Sequence, residues 1–273
     1  MGCPAPGIER LEAHLFGQAY SPHRHDVYAI GVTLSGAHLF GYRGERRVCD
    51  PGHGHVLHPD EVHDGGAGTE EGFGYRIMYV DPALIQAALG GRPLPFVADP
   101  VVRPADLAPA FVASLADLDA PIGEVERVEV AVAVADMLEG LAAPTRRGSR
   151  AAPLHVEAMS RVRALIADDP AVAHSAEGLE RAAGLDRWTV ARQFRAVFGT
   201  SPSRFRTMRR LDQARRMIGE GMPLCDAALA AGFADQSHMS RLFRGTWGLT
   251  PGRWAALAGQ RDAGRPEPVE QRR

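Results

Sequence analysis

Lysine is absent from the chain: all 31 basic residues are arginine. Such a bias is typical of a GC-rich genome, so an arginine by itself is a weak indication of a nucleic-acid contact. Cysteine is scarce, and the wide spacing of Cys3, Cys49 and Cys225 excludes a disulfide framework and fits a reducing compartment. No apolar run approaches a membrane-spanning length, and the N-terminus lacks a signal-peptide pattern. These absences predict a cytoplasmic globular protein with no membrane partner.

The composition supports two domains of opposite charge. The 273 residues are 45% hydrophobic and 23% charged, which is usual for a globular protein with more than one core. Residues 1–150 carry 12 arginines and 20 acidic residues, whereas residues 151–273 carry 19 and 13. This asymmetry predicts different partners for the two halves, with the basic half as the candidate for nucleic acid.

The basic half contains an internal repeat. The stretch from Gly232 to Trp254 has a degenerate copy 49 positions earlier. The matched pairs are Arg192 and Arg241, Phe194 and Phe243, Arg195 and Arg244, Phe198 and Trp247, Gly199 and Gly248, Pro202 and Pro251, and Phe205 and Trp254. Such a repeat indicates one structural unit that is used twice.

Each copy predicts a helix-turn-helix. In the first copy, Ser175 caps a helix that ends at Ala183, Gly184 forms the turn, and Asp186 caps a second helix over 187–198. The equivalent features of the second copy are a helix over 224–231, Gly232, Asp235 and a helix over 236–244.

The second helix of such a motif enters the major groove of double-stranded DNA, where its first turns meet the base edges. The candidate DNA-binding residues on those turns are Arg187, Trp188, Thr189, Arg192 and Gln193 in the first copy, and Gln236, Ser237, His238, Ser240 and Arg241 in the second. An arginine can bond bidentately to guanine, and Gln236 could pair with adenine. For Trp188 two interpretations stay open, packing on a thymine methyl or sugar and ordinary packing against the neighbouring helix.

A helix from Pro202 to about Gly219 joins the two copies and fixes the separation of the two reading heads. Arg206, Arg209 and Arg210 lie off its apolar stripe. They are candidates for phosphate contacts, which position a protein on DNA without specifying sequence. The alternative is a solvated face.

The acidic half begins with short predicted strands. Segments 27–35, 37–43 and 73–80 are rich in β-branched and aromatic residues and are separated by turn residues, which predicts a sandwich or barrel. Two helices follow over 104–119 and 124–142, because apolar residues recur there at helical spacing. The predicted apolar stripe of the second helix is Val125, Val128, Val132, Ala135 and Leu138. These helices pack on the barrel, form a dimer contact, or do both.

A polar segment over 144–153, interrupted by Pro144, Gly148 and Pro153, predicts an interdomain linker. The predicted domains are therefore 1–143 and 154–258, and the polar residues 259–273 predict a disordered tail.

Residues 154–257 resemble the C-terminal DNA-binding domain of the AraC/XylS family of bacterial transcription regulators. The resemblance is carried by Gly232-Phe233-x-Asp235-Gln236-Ser237-His238-x-x-Arg241-x-Phe243, followed by Gly248-x-Thr250-Pro251. It implies seven helices with two helix-turn-helix motifs joined by a long helix. One position departs from the family: four residues before the turn glycine, where a small residue is usual, the second copy has Ala228 but the first has Glu180.

Histidine is concentrated near the start of the chain, where eight of eleven lie at or before His63. His23 and His25 share a face if the following strand extends to them. His-x-His followed by a glycine-rich turn and Pro59-x-x-x-His63 resembles the two cupin motifs. The resemblance implies an α+β multidomain chain with a cupin-like β-barrel or jelly roll before the helical domain.

Three interpretations of the histidines stay open. His23, His25 and His63 form a metal site, a metal-free ligand pocket, or a structural group satisfied by hydrogen bonds. Metal-binding cupins usually add a glutamate that segment 26–31 lacks, so no metal or other cofactor is predicted. The candidate ligand-binding residues are His23, His25, Tyr28, His63 and Arg76, and the residues predicted to be surface groups near turns are His53, His55 and His58.

The sequence thus predicts a DNA-binding transcription regulator of the AraC type that responds to a small-molecule effector, and not an enzyme. The resemblance implies a homodimer, and RNA polymerase is a further candidate partner. Two alternatives from other classes are a metal-dependent cupin enzyme with a DNA-binding appendage, and a regulator whose N-terminal domain only dimerises or binds another protein.

Overall fold

Two antiparallel sheets form the N-terminal domain. The computed structural model describes residues 5–17, 20–142 and 153–262. The strands are β1 (Ile8–Leu15), β2 (Tyr20–His23), β3 (Tyr28–Gly36), β4 (His38–Tyr42), β5 (Glu45–Cys49), β6 (Gly54–Leu57), β7 (His63–Ala67), β8 (Phe73–Val80) and β9 (Val101–Val102). One sheet has the order β1-β8-β3-β6-β9 and the other β2-β7-β4-β5. This arrangement confirms the predicted β-rich domain.

Strand alternation gives the N-terminal domain two separate cores. On β8, Tyr75 and Ile77 face the other sheet and pack in one cluster with Phe40 of β4. The next residues along the strand, Met78 and Val80, lie in a second cluster on the opposite face. Three helices cover that face: α1 (Pro82–Ala88), α2 (Pro109–Ala116) and α3 (Glu124–Leu141). Helix α1 was not predicted, because its seven residues are too few to show a helical period.

The buried stripe of α3 differs from the predicted one. The structure buries Val130, Val134 and Leu138, whereas Val125 and Val128 are 73% and 54% exposed. Packing on the barrel, one of the interpretations left open for this stripe, is therefore wrong at Val125, Val128 and Val132. Valine and alanine occur on both sides of this helix and give its sequence almost no amphipathic contrast, so the buried side could not be identified.

Seven helices form the C-terminal domain within the described residues, as the resemblance implies. They are α4 (Val156–Asp168), α5 (Ala176–Ala183), α6 (Arg187–Phe198), α7 (Pro202–Gly219), α8 (Leu224–Ala230), α9 (Gln236–Trp247) and α10 (Pro251–Asp262). The predicted caps are confirmed: the Asp186 side chain accepts from the backbone N–H groups of Trp188 and Thr189, and that of Asp235 accepts from the N–H of His238. Gly184 closes α5 at a φ of 67°, a left-handed conformation that favours glycine.

Helix α7 connects two small cores, one for each helix-turn-helix. Phe205 packs with Phe194 and Val190 in the first core. One turn later Met208 and Leu211 pack with Phe243 in the second core. The two motifs are therefore held by opposite ends of one rigid helix.

The predicted tail needs a correction at its start. Helix α10 runs to Asp262, so residues 259–262 are helical. Residues 263–273 lie outside the described residues, as does the predicted linker except for Pro153. No helix of the described residues is long and apolar enough to cross a membrane.

Candidate nucleic-acid interface and interdomain cleft

Helix α6 presents a polar face at the start of the first reading head. Arg187 and Arg192 are exposed and Thr189 is half-buried, and the Arg192 guanidinium donates to the Thr189 hydroxyl over 3.1 Å. Trp188 is 71% exposed. Packing of Trp188 against a neighbouring helix, one of the two interpretations left open, is therefore not what the structure contains.

The Gln193 side chain contacts the first residues of its own domain. Its side-chain oxygen accepts from the backbone N–H of His155 over 3.1 Å, and its amide nitrogen donates to the carbonyl of Pro153. The side chain thereby fixes the residues that lead into α4.

Helix α9 presents the second polar face. Gln236, Ser237 and Arg241 are exposed, while His238 and Ser240 are half-buried. The His238 ring stands edge-on to Phe233 with 5.6 Å between ring centroids. The candidates of both heads therefore lie on the second helix of each motif, with the exposed ones in the first two turns.

The three candidate arginines of α7 all have partners within the protein. Arg206 donates to the carbonyls of Pro170 and Ala171 over 2.8 Å. Arg210 is buried and donates to the carbonyls of Ala231 and Gly232. The structure thus ties these two guanidinium groups to the turn regions next to α5 and α9, where each stabilises backbone carbonyl groups.

Arg209 crosses to the N-terminal domain. Its guanidinium lies 2.8 Å from the carboxylate of Asp26, which is buried, and 3.1 Å from that of Asp212. Burial raises the pKa of Asp26 to about 6, and the charge of Arg209 opposes that rise. The third predicted phosphate ligand is therefore an interdomain ion-pair partner.

Further contacts fasten the domains together. Arg204 pairs with Asp60 and Arg163 pairs with Asp81. The backbone N–H of Arg24 also donates to the carbonyl of Gly245 in α9 over 3.1 Å. The N-terminal domain thus rests on both the joining helix and the second recognition helix.

A cleft of about 780 Å³ opens between the two domains. Four arginines line it: Arg24 from the N-terminal domain, and Arg195, Arg204 and Arg241 from the C-terminal domain. Its apolar walls include Phe96 and Leu242. Two carboxylates also line the cleft: Asp60, which pairs with Arg204, and Glu61, which pairs with Arg43. Among the described residues the other three arginines form no ion pair, so the cleft combines an excess of positive charge with apolar surface. Sequence reasoning missed Arg24, Arg195 and Arg204 as a group, because segments from both domains build the cleft.

The predicted ligand residues separate into three places. The rings of His23, His25 and His63 do come together, with centroids 4.3 to 6.2 Å apart. Tyr28 instead lies in the core under the helices and lines the interdomain cleft. Arg76 is on the outer face of β8, where it pairs with Glu12 and donates to the carbonyls at the end of α2.

The histidine cluster is neutral and oriented by the backbone. The Nδ1 atoms of His23, His25 and His63 donate to the carbonyls of Ser21, Val27 and Glu61, respectively. Burial lowers the pKa of all three rings, that of His25 to about 3. In the part of the chain that the structure describes, no group of three or more His, Cys, Asp or Glu side chains is arranged to hold a metal ion.

The prediction of surface positions was wrong for His55 and His58, which are 1% and 5% exposed. His55 faces the barrel interior beside His38, and His58 accepts from the backbone N–H of Val97 and bonds to the Tyr42 hydroxyl. The turn residues around them indicated a loop, but His55 lies within β6 and points inward, and His58 directly follows that strand and is buried.

Fold and interface together define a two-domain regulator that binds DNA through a double helix-turn-helix. A family model described as AraC-like ligand binding domain matches residues 5–135, and one described as helix-turn-helix domain matches residues 179–256. The chain belongs to the AraC family of transcription regulators, with a ligand-binding N-terminal domain.

Individual relatives agree with this assignment. Transcriptional activator NphR of a Rhodococcus species is 35% identical over 144 residues, which span 50% of this chain but only 42% of NphR. HTH-type transcriptional regulator YbfI of Bacillus subtilis is 24% identical over 241 residues, or 84% of this chain and 86% of YbfI. The crystal structure of ToxT from Vibrio cholerae superposes with a TM-score of 0.63 at 10% identity, covering 93% of this chain and 99% of ToxT, and so has the same fold.

Proposed function

We propose that this regulator responds to an amphipathic organic anion, such as a long-chain carboxylate, that binds in the interdomain cleft. The observation that carries the proposal is that Arg24, Arg195 and Arg241, which form no ion pair among the described residues, lie beside the apolar walls of the cleft. A carboxylate accepts charge-assisted hydrogen bonds from guanidinium groups, while an alkyl chain gains from burial. ToxT has been crystallised with an unsaturated fatty acid, which is consistent with such a ligand in this fold.

The cleft suggests how such an effector acts. Arg241 both lines the cleft and belongs to the polar face of the second recognition helix. An anion bound to Arg241 competes with DNA for that guanidinium and favours the arrangement of domains that holds it. The effector therefore lowers DNA affinity by binding one of two states more tightly.

The DNA contacts we propose are fewer than the sequence alone indicates. On α6 they are Trp188, Thr189 and Arg192, and on α9 they are Gln236, Ser237, His238, Ser240 and Arg241. Gln193, Arg206, Arg209 and Arg210 act within the protein, where their side chains have partners. Arg187 is left out because Glu180 holds its guanidinium. Both heads read promoter DNA in the cytoplasm, and RNA polymerase is the next partner at the promoter.

We propose a homodimer through the exposed valine stripe of α3, defined as Val125, Val128 and Val132. Three exposed valines at helical spacing form an apolar line that a second copy of the helix can cover. The N-terminal domain has no enzymatic role in this proposal.

Thermal unfolding with oleate and with oleyl alcohol tests the effector site. Oleate at 100 times its Kd should raise the stability by about 2.7 kcal/mol, because it binds only the folded state. The R24Q/R195Q double variant should lose most of this shift, whereas R216Q, on an exposed part of α7 outside the cleft, should keep it. Equal shifts with the alcohol, or an unchanged shift in R24Q/R195Q, would show that the cleft does not recognise the carboxylate.

A further inference from the structure

The Glu180 side chain reaches from α5 to the start of the first recognition helix. One carboxylate oxygen accepts from the backbone N–H of Arg187 over 2.8 Å and from Nε of the same residue over 3.0 Å. Glu177, one turn earlier on α5, lies 3.4 Å from the Arg187 guanidinium. Two carboxylates therefore hold the first arginine of α6.

The second reading head lacks this arrangement. The residue four before its turn glycine is Ala228, which is fully buried and has no side-chain acceptor. The first residue of α9 is Gln236, and Asp235 is the one carboxylate that caps this helix. The two copies thus present different charge at the same place in the motif.

The extra carboxylates oppose DNA at the first head. A phosphate near the N-terminus of α6 meets the negative charges of Glu177, Glu180 and Asp186, of which Asp186 has its counterpart in Asp235 of the second copy. Two of the three guanidinium nitrogens of Arg187, Nε and Nη2, donate to these glutamates, so part of the attraction of Arg187 for a phosphate is offset. The backbone N–H of Arg187, which could also donate to a phosphate, is occupied.

We propose that Glu180 is a positioning residue that restrains Arg187 and lowers the sequence-independent attraction of the first head for DNA. The second head then supplies most of the phosphate attraction, and the first head contributes through the polar side chains beyond Arg187. This difference between the heads discriminates against random DNA, because the first head has little affinity for the DNA phosphate backbone alone.

The test is the salt dependence of binding to a random-sequence duplex. A logarithmic plot of affinity against salt changes slope by about 0.9 for each phosphate contact. In E180Q the amide oxygen still accepts from the Arg187 N–H, but the charge is gone. The slope should steepen by about one contact and the affinity for random DNA should rise, and E180Q/R187A should lose both gains.

Two further variants complete the experiment. E177Q should give a smaller change in the same direction, since its contact is longer, and it carries the test if E180Q folds poorly. E70Q removes one negative charge from the exposed loop between β7 and β8, away from both reading heads and from the valine stripe of α3, and should leave the slope as in the parent chain. An unchanged slope in E180Q and E177Q, or a gain that persists in E180Q/R187A, would overturn the proposal.

Discussion

The role of each arginine in this chain depends on the groups that it contacts. Arg10 is 1% exposed, and its guanidinium donates to the carbonyls of Ser114, Asp117 and Ala120 around the end of α2. Arg76 supports the same helix end from the neighbouring strand. Arg192 and Arg241, in contrast, stay exposed on the recognition helices. The absence of lysine makes these roles indistinguishable by residue type, so only the partners separate them.

At the residue scale, Trp188→Ala should weaken DNA binding without affecting stability. The side chain is 71% exposed, so its removal should change the free energy of unfolding by less than about 0.5 kcal/mol. Loss of its contact with a thymine methyl or a sugar should lower the affinity for promoter DNA. Denaturant unfolding and DNA titration on the same sample check both values.

Phe194→Ala is the matched control for that experiment. Phe194 is fully buried in the first small core, and its truncation should cost about 3–5 kcal/mol. A Trp188→Ala protein as unstable as Phe194→Ala would mean that Trp188 packs in the fold after all.

At the scale of elements, helix α7 serves as the scaffold of the whole chain. Its apolar residues belong to two cores, and its arginines hold carbonyls of both turn regions and a carboxylate of the other domain. The sequence predicted the bounds of this helix and the position of its arginines. It could not predict their partners, since an arginine off the apolar stripe is equally consistent with DNA, solvent or another domain.

Arg209→Met should destabilise the protein more at pH 8 than at pH 5. The folded pKa of Asp26, about 6, lies above its ordinary value of 3.8, so this carboxyl opposes folding as the pH rises from about 4 through 6. Loss of the guanidinium raises that pKa further. The free energy of unfolding of the variant should therefore fall by about 3 kcal/mol at pH 8, where Asp26 must ionise, and by much less at pH 5, where Asp26 is protonated.

Asp26→Asn in the Arg209→Met background is the control, because it removes the buried charge. Thermal unfolding between pH 5 and 8 should show that the added substitution restores most of the stability lost at pH 8. If Arg209→Met lost the same stability at both pH values, Asp26 would not be the group responsible.

At the scale of the whole molecule, the relative placement of the domains is set by charge pairs across the interface. The N-terminal domain contributes Asp26, Asp60 and Asp81, and the C-terminal domain contributes their arginines. This pairing follows the opposite net charges of the two halves. It also leaves the cleft between the domains lined by arginines that the interface does not neutralise.

Val128→Arg should convert the proposed dimer into a monomer. Val128 is 54% exposed, so an arginine there should not disturb the fold, but it places a charge in the valine stripe of α3. Sedimentation at a fixed protein concentration measures the assembly. Val172→Arg changes a valine of similar exposure, 52%, outside α3 and should leave the sedimentation coefficient unchanged. A dimer that survives Val128→Arg would place the contact elsewhere.

The sequence by itself determined the features that depend on neighbours in the chain. The caps at Ser175, Asp186 and Asp235 and the glycine that ends α5 follow from groups within a few residues of one another. The repeat and the family motif extend this local information to the whole helical domain. Segments rich in β-branched and aromatic residues, separated by turn residues, likewise predicted the β-rich domain, although the short helix α1 was not recognised.

Tertiary structure alone decided which charges meet. Arg209 and Asp26 lie 183 positions apart, and no local pattern links them. The inward orientation of His55 and the exposure of the α3 valines likewise depend on which face of each element the rest of the chain covers. Burial and ion pairing depend on surfaces that folding brings together. The cleft therefore forms, and its arginines come together, only when both domains are in place.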